Sequence, residues 1–239
     1  MKRFRPEEST ADPVRVPAGP VVLEGNLNIP SGARGLVLFA HGSGSSRHSP
    51  RNRYVAAELQ EAGMATLLLD LLTPQEETVD AVTGHLRFDI ELLAERLVAV
   101  TDWLGQQQRT RELALGYFEA STGAAAALMA AAQRPDAARA VVSRGGRPDL
   151  AGPALAAVRA PTLLIVGGDD VQVLALNRQA LELLGAAEKE LVIVPRASHL
   201  FEEPGALEQV ARLAAAWFAK HLDTNGNRTG ARQVQENRR

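Results

Sequence analysis

Apolar residues along the chain fall into short continuous runs, separated by longer stretches in which they recur at helical spacing. Residues 35–40 read GLVLFA, 65–69 ATLLL and 113–118 LALGYF; residues 140–143 (AVVS), 162–166 (TLLIV) and 191–194 (LVIV) have the same form. Runs without polar alternation suit parallel strands buried on both faces. The start of the chain differs. Residues 21–29, VVLEGNLNI, alternate apolar and polar, as a strand with one solvated face does. With residues 14–16, across the turn Pro17-Ala18-Gly19-Pro20, they predict an antiparallel hairpin. Helical spacing marks residues 52–62, 88–104, 122–132, 173–184 and 207–221. Strand–helix alternation predicts an α/β fold: a doubly wound, mostly parallel sheet of about eight strands with an N-terminal antiparallel hairpin. No linker splits the core. Residues 13–222 read as one domain, after an N-terminal segment 1–12 and before a polar, Gly/Asn/Arg-rich tail, 223–239, whose composition predicts disorder.

In an open α/β sheet, ligands bind beyond the carboxyl ends of the strands, so the residues just after each run carry the chemistry. After GLVLFA comes His41-Gly42-Ser43-Gly44, and after LALGYF comes Glu119-Ala120-Ser121-Thr122-Gly123. TLLIV leads to Gly167-Gly168-Asp169-Asp170, and LVIV to Pro195-Arg196-Ala197-Ser198-His199. The order Ser…Asp…His is the one expected of α/β-hydrolases. The residue types suit acyl transfer. A serine hydroxyl needs a base to take its proton, a histidine does so near neutral pH, and a carboxylate fixes the imidazole. Ser121 is the expected nucleophile, His199 the base and Asp170 the acid. Asp169 competes with Asp170, and either aspartate, like Ser121, has an alternative role as a helix cap. Asp170 has the better spacing to the apolar Val173 that opens the next helix. The N–H groups of Ser43 and Thr122 are the expected oxyanion donors. His41 is expected to order the loop that carries Ser43.

Glu119 departs from the pattern. A serine elbow of the form G-x-S-x-G has a small residue two positions before the serine, because the turn is tight. Three readings stand open: the glutamate points outward, it lowers or alters activity, or it is an introduced change. It also motivates a second hypothesis, a catalytically impaired or non-catalytic α/β-hydrolase scaffold. Arg47, Arg51 and Arg53 cluster after the first loop, and Arg144 and Arg147 follow the sixth strand. They bind a substrate carboxylate or phosphate, or they pair with acids such as Asp70, Asp89 and Asp149. Arg144 is the candidate substrate contact.

Composition narrows the classes. The 239 residues carry a net charge of −2, which gives no argument for a nucleic acid or a membrane surface as partner. There is no cysteine, so thiolate nucleophiles and Cys-ligated metals are excluded. No His/Asp/Glu set has metal-ligand spacing, no phosphate-binding glycine motif opens a helix, and no cofactor is expected. The N-terminus lacks the apolar core of a secretory signal, and the expected location is the cytoplasm.

The stretches LFAHGSGSSRHSPRNRYVA, GYFEASTGAAAAL, VVSRGGRPDL, TLLIVGG and SHLFEEPG together resemble a bacterial subfamily of small serine hydrolases in the dienelactone-hydrolase-like group of α/β-hydrolases. The resemblance runs from the N-terminal hairpin to the last helix and also points to Asp170 as the acid. Some relatives in this subfamily are fused to a phosphoribosyltransferase domain, and no such domain is read in this chain. Dienelactone hydrolases use a cysteine where this chain has Ser121, so the dienelactone substrate does not carry over. The segment from Arg144 to Ala160 is too short for a large lid, which favours small soluble acyl substrates. Acyl transfer to an acceptor other than water is not separable from hydrolysis by the triad.

Overall fold

A computed structural model describes residues 11–41 and 45–223. Ser43 and the outer parts of both terminal segments, 1–10 and 224–239, lie outside the described residues. Eight strands form one sheet: β1 (Asp12–Ala18), β2 (Val21–Asn28), β3 (Leu36–Ala40), β4 (Ala65–Leu69), β5 (Leu115–Ala120), β6 (Ala138–Arg144), β7 (Thr162–Gly167) and β8 (Lys189–Val194). Their spatial order is β1-β2-β4-β3-β5-β6-β7-β8. β1 pairs antiparallel with β2, and β2 antiparallel with β4; every other pairing is parallel.

The apolar pattern follows from these places. All five residues of β3 and of β4 are buried, because helices cover both faces of the sheet there. β2 alternates, with Leu23, Gly25 and Leu27 inward and its other face partly wet. The helices are α1 (Pro50–Glu61), α2 (Pro74–Thr83), α3 (Ile90–Gln106), α4 (Gly123–Gln133), α5 (Val171–Leu183) and α6 (Ala206–Leu222). One apolar core joins the sheet to α3, α4 and α5, and a second joins its other face to α1 and α6. No helix among the described residues is long and apolar enough to cross a membrane. The β6–β7 connection holds only a short, kinked 3₁₀ segment, Pro148–Ala157, with no large lid.

Two elements differ from the sequence reading. β5 runs on to Ala120 instead of stopping at Phe118, because Glu119 and Ala120 pair with Ser143 and Arg144 of β6. Glu119 is therefore a strand residue. α2 was not anticipated. Its inward side contributes one buried residue, Asp80, while Val79 and Val82 are exposed, so apolar periodicity carries no signal there.

Candidate active site

The strand-to-helix turn after β5 places Ser121 in a left-handed conformation, φ 52°. A non-glycine residue there stores about 1–3 kcal/mol of strain, which persists only where the surroundings impose it. Two contacts impose it here. Arg147 N–H donates to the Ser121 carbonyl at 2.9 Å, and Ala124 N–H donates to the same oxygen at 3.2 Å. Gly123 then lets α4 start against β3: a Cβ at that position would lie 3.0 Å from the Ala40 carbonyl oxygen. Ser121 is not the residue that caps α4; Thr122 holds that position, without a side-chain cap bond. No backbone carbonyl among the described residues accepts from the Thr122 N–H.

His199 and Asp170 come together. The His199 Nδ1–H donates to Asp170 Oδ2 at 2.6 Å. Asp170 stands at the N-cap of α5 but makes no cap bond, so its carboxylate serves the histidine rather than the helix. Asp169 is exposed. Close backbone packing delivers His199. At Gly167, a Cβ would lie 2.2 Å from the Ala197 carbonyl oxygen and 2.6 Å from that of Ser198, so only glycine admits the β8–α6 loop this near to β7. Asp169 N–H donates to Ala197 O at 3.0 Å. Two left-handed residues, Arg196 (φ 58°) and Phe201 (φ 56°), bracket His199, and the Phe201 ring anchors the loop in the second core. The segment 145–147 links the two halves. Gly145 lies against His199, while Arg147 holds the Ser121 carbonyl.

The loop after β3 is fixed at both flanks by Asp70, at the end of β4. His41 Nε2–H donates to Asp70 Oδ1 at 3.0 Å, Arg47 N–H donates to the same oxygen at 2.6 Å, and the Arg47 guanidinium pairs with Asp70 Oδ2 and with Glu24. Burial pushes the Asp70 carboxyl up, but the bonds from His41 and Arg47 outweigh it and hold the group below the ordinary carboxylate range. The expected ordering role of His41 fits this cluster. Glu119 does not point outward: it is 0% exposed, and one carboxyl oxygen accepts from Ala40 N–H at 3.2 Å.

Most of the arginines are paired. Arg47 meets Asp70, Arg147 meets Asp149, and Arg51 meets Glu202 at 3.3 Å. Arg144 is different. It is 8% exposed, and its Nε and Nη1 have no hydrogen-bond partner among the described residues. Burial, together with repulsion from Arg51, lowers its pKa to about 10. A cleft of about 530 Å³ opens beside the turn, with His41, Arg51 and Thr122 in its wall and residues of α2 on the far side. Sequence reasoning missed that wall. No cluster of three or more metal-ligating side chains occurs among the described residues.

This strand order, with a strained serine after β5 and a His–Asp pair after β8 and β7, defines an α/β-hydrolase. The chain belongs to the dienelactone-hydrolase-like group of that superfamily. It is 63% identical to a dienelactone hydrolase from Anabaena variabilis, over 89% of this chain and 99% of that one, with a TM-score of 0.86. This relationship supports a hydrolase. The fold alone is shared with the esterase domain of a Rhodothermus marinus protein, which is 18% identical with a TM-score of 0.70 over 88% of this chain and 98% of that one. Two Mycobacterium tuberculosis proteins described as candidate phosphoribosyl transferases are 59% identical over 221 residues, 90% of this chain. The chain spans about half the length of these curated relatives, 49%. No family model matches the chain.

Proposed function

We propose that the protein is a serine hydrolase that cleaves a small acyl ester or related substrate through an acyl-enzyme. Ser121 attacks the acyl carbon. His199 takes its proton and passes it to the leaving group, and Asp170 orients His199 and stabilises the imidazolium. The N–H groups of Thr122 and Ser43 hold the tetrahedral oxyanion. Water then resolves the acyl-enzyme, with His199 again acting as the base. The observation that carries this reading is the bond from His199 to Asp170, 2.6 Å, in a site whose serine is held left-handed. Strain of that kind clusters at functional turns.

Arg144 is the proposed substrate contact. A buried guanidinium without an acid is costly, and a carboxylate or phosphate on the substrate would offset that cost. Arg144→Met is expected to raise KM for an ester bearing a free carboxylate far more than for its neutral counterpart. Equal effects on both esters would remove Arg144 from the binding site.

The test of the reaction is labelling by a fluorophosphonate probe, with Ser121→Ala and His199→Ala as controls. Labelling of the parent that is lost in both controls is the expected result. A folded parent that resists the probe would overturn the reading and favour the non-catalytic scaffold, which the buried Glu119 beneath the turn motivates.

A further inference from the structure

Glu119 is a fully buried carboxyl that the proposed reaction does not use. Its Oε1 accepts from Ala40 N–H at 3.2 Å, and its Oε2 has no hydrogen-bond partner among the described residues. The place of Oε2 is informative. The point where a Gly123 Cβ would stand is 3.0 Å from Ala40 O, 3.2 Å from Glu119 Oε2 and 3.3 Å from His41 O. Three oxygens thus crowd the start of α4. At Oε2 an ionised carboxylate would face two carbonyl oxygens and find no donor among the described residues, whereas a carboxylic acid brings its own O–H to the group. The same wedge lies between the two sides from which the oxyanion donors come: the end of β3, which leads into the loop carrying Ser43, and the first turn of α4, where Thr122 stands.

We propose that Glu119 is a positioning residue of the oxyanion side, a neutral carboxylic acid that holds the last residue of β3 through the Ala40 N–H and wedges against the start of α4, and so sets the gap in which the oxyanion is held. The proposal rests on the serine-hydrolase reading. It gives the departure from glycine at this position a role: the side chain replaces empty space with a clamp.

The electrostatics agree with the geometry. Burial drives the Glu119 pKa well above the ordinary glutamate value, and the Ala40 N–H opposes this only in part. Among the described residues, no charged side chain is placed to ionise it. The titratable groups on neighbouring elements are engaged elsewhere: Tyr117 on β5 bonds Thr101, and His41 after β3 bonds Asp70. β6 presents Ser143 beside it, and the first turn of α4 presents only glycine and alanine. When Glu119 does lose its proton, the negative charge lies beside the developing oxyanion. Like charges in a low-dielectric site disfavour the transition state, so kcat falls on the alkaline side.

The experiment compares the parent, Glu119→Gln and Glu119→Ala on a short acyl ester between pH 5 and 10, with fluorophosphonate labelling of each. Gln keeps an acceptor for Ala40 N–H and adds N–H donors, but it cannot ionise. The expected Gln variant keeps kcat near the parent value at neutral pH and loses the alkaline fall. The Ala variant is expected to lose about 10- to 100-fold in kcat with KM little changed, the effect of misplacing a reacting group. An Ala variant with parental kcat, or a Gln variant with an unchanged alkaline fall, would overturn the proposal while leaving the hydrolase reading intact. A parent that neither labels nor turns over would sink that reading itself. If the Ala variant fails to fold, infrared spectroscopy of the parent decides. A protonated-carboxyl band at neutral pH, absent from Glu119→Gln, is required; its absence from the parent would end the proposal.

Discussion

At the scale of single residues, the site depends on a few atoms that have no room to move. Gly167 is the sharpest case, since any Cβ there meets the backbone of the loop that presents His199. Gly167→Ala is expected to lower kcat about 100-fold by displacing His199, the proposed base, while circular dichroism stays native. Steady-state kinetics on a short ester check this, and unaltered kcat would mean that His199 is placed by something else. Asp170→Asn keeps the size of the side chain but not its charge. It is expected to cost about 10⁴-fold in kcat, because the imidazole loses its fixed tautomer. Asp169→Asn, at an exposed position, should change kcat less than twofold in the same assay. Ser121, Asp170 and His199 were legible because each follows a strand end in a recognisable order. The choice between Asp169 and Asp170 needed geometry, since adjacent residues after a strand differ in direction rather than in sequence context. Asp70 and Asp149 were among the acids the sequence offered as arginine partners, whereas Glu24 beside Arg47 and Glu202 beside Arg51 were hidden, because they reach across the fold.

At the scale of elements, α2 carries one wall of the cleft and was not foreseen. Its signal lay in a capping box rather than in periodicity: the Thr73 side chain accepts from Glu76 N–H, and Glu76 accepts from Thr73 N–H. Glu76 is further held by Arg96 on α3, which also donates to the Leu71 carbonyl. Thr73→Ala is expected to destabilise the protein by about 1 kcal/mol, read from denaturant unfolding. Because α2 contributes Glu77 and Ala81 to the cleft, the same variant should raise KM more than it lowers kcat. A large drop in kcat with KM fixed would place α2 in the chemistry rather than in substrate binding. The extension of β5 matters for a related reason. Strand ends are set by pairing with neighbours, and β6 continues the ladder two residues past the apolar run. That extension turns Glu119 from a loop residue into a buried one.

At the scale of the whole molecule, two buried carboxyls tie stability to pH with opposite signs. Glu119 has a raised folded-state pKa, so the native state holds a proton that the unfolded chain releases. Stability therefore falls as pH rises from the ordinary glutamate value toward the raised one. Glu119→Gln should be more stable than the parent at pH 8, with the difference shrinking toward pH 4, as measured by thermal unfolding across that range. Asp70 has a lowered pKa, so its contribution is present above the ordinary carboxylate value and is lost as pH falls through the folded-state one. Asp70→Asn should be less stable than the parent at neutral pH and approach it in acid. A constant offset at every pH in either variant would show that packing, not ionisation, causes the change.

The sequence by itself determined the α/β class, the hairpin at the start, the parallel centre, and that a serine, a pair of aspartates and a histidine follow successive strand ends. Those features are written in local patterns, because unbroken apolar runs, helical spacing and the residues after each run depend only on near neighbours along the chain. Tertiary structure alone decided that Asp170 rather than Asp169 meets His199, that Arg144 Nε and Nη1 lack a partner among the described residues, that α2 walls the cleft and that Glu119 is sealed inside. Each of these depends on distances between residues far apart in the chain, such as Ala40 and Glu119 or Gly167 and Ala197, and such distances are fixed only when the layers pack.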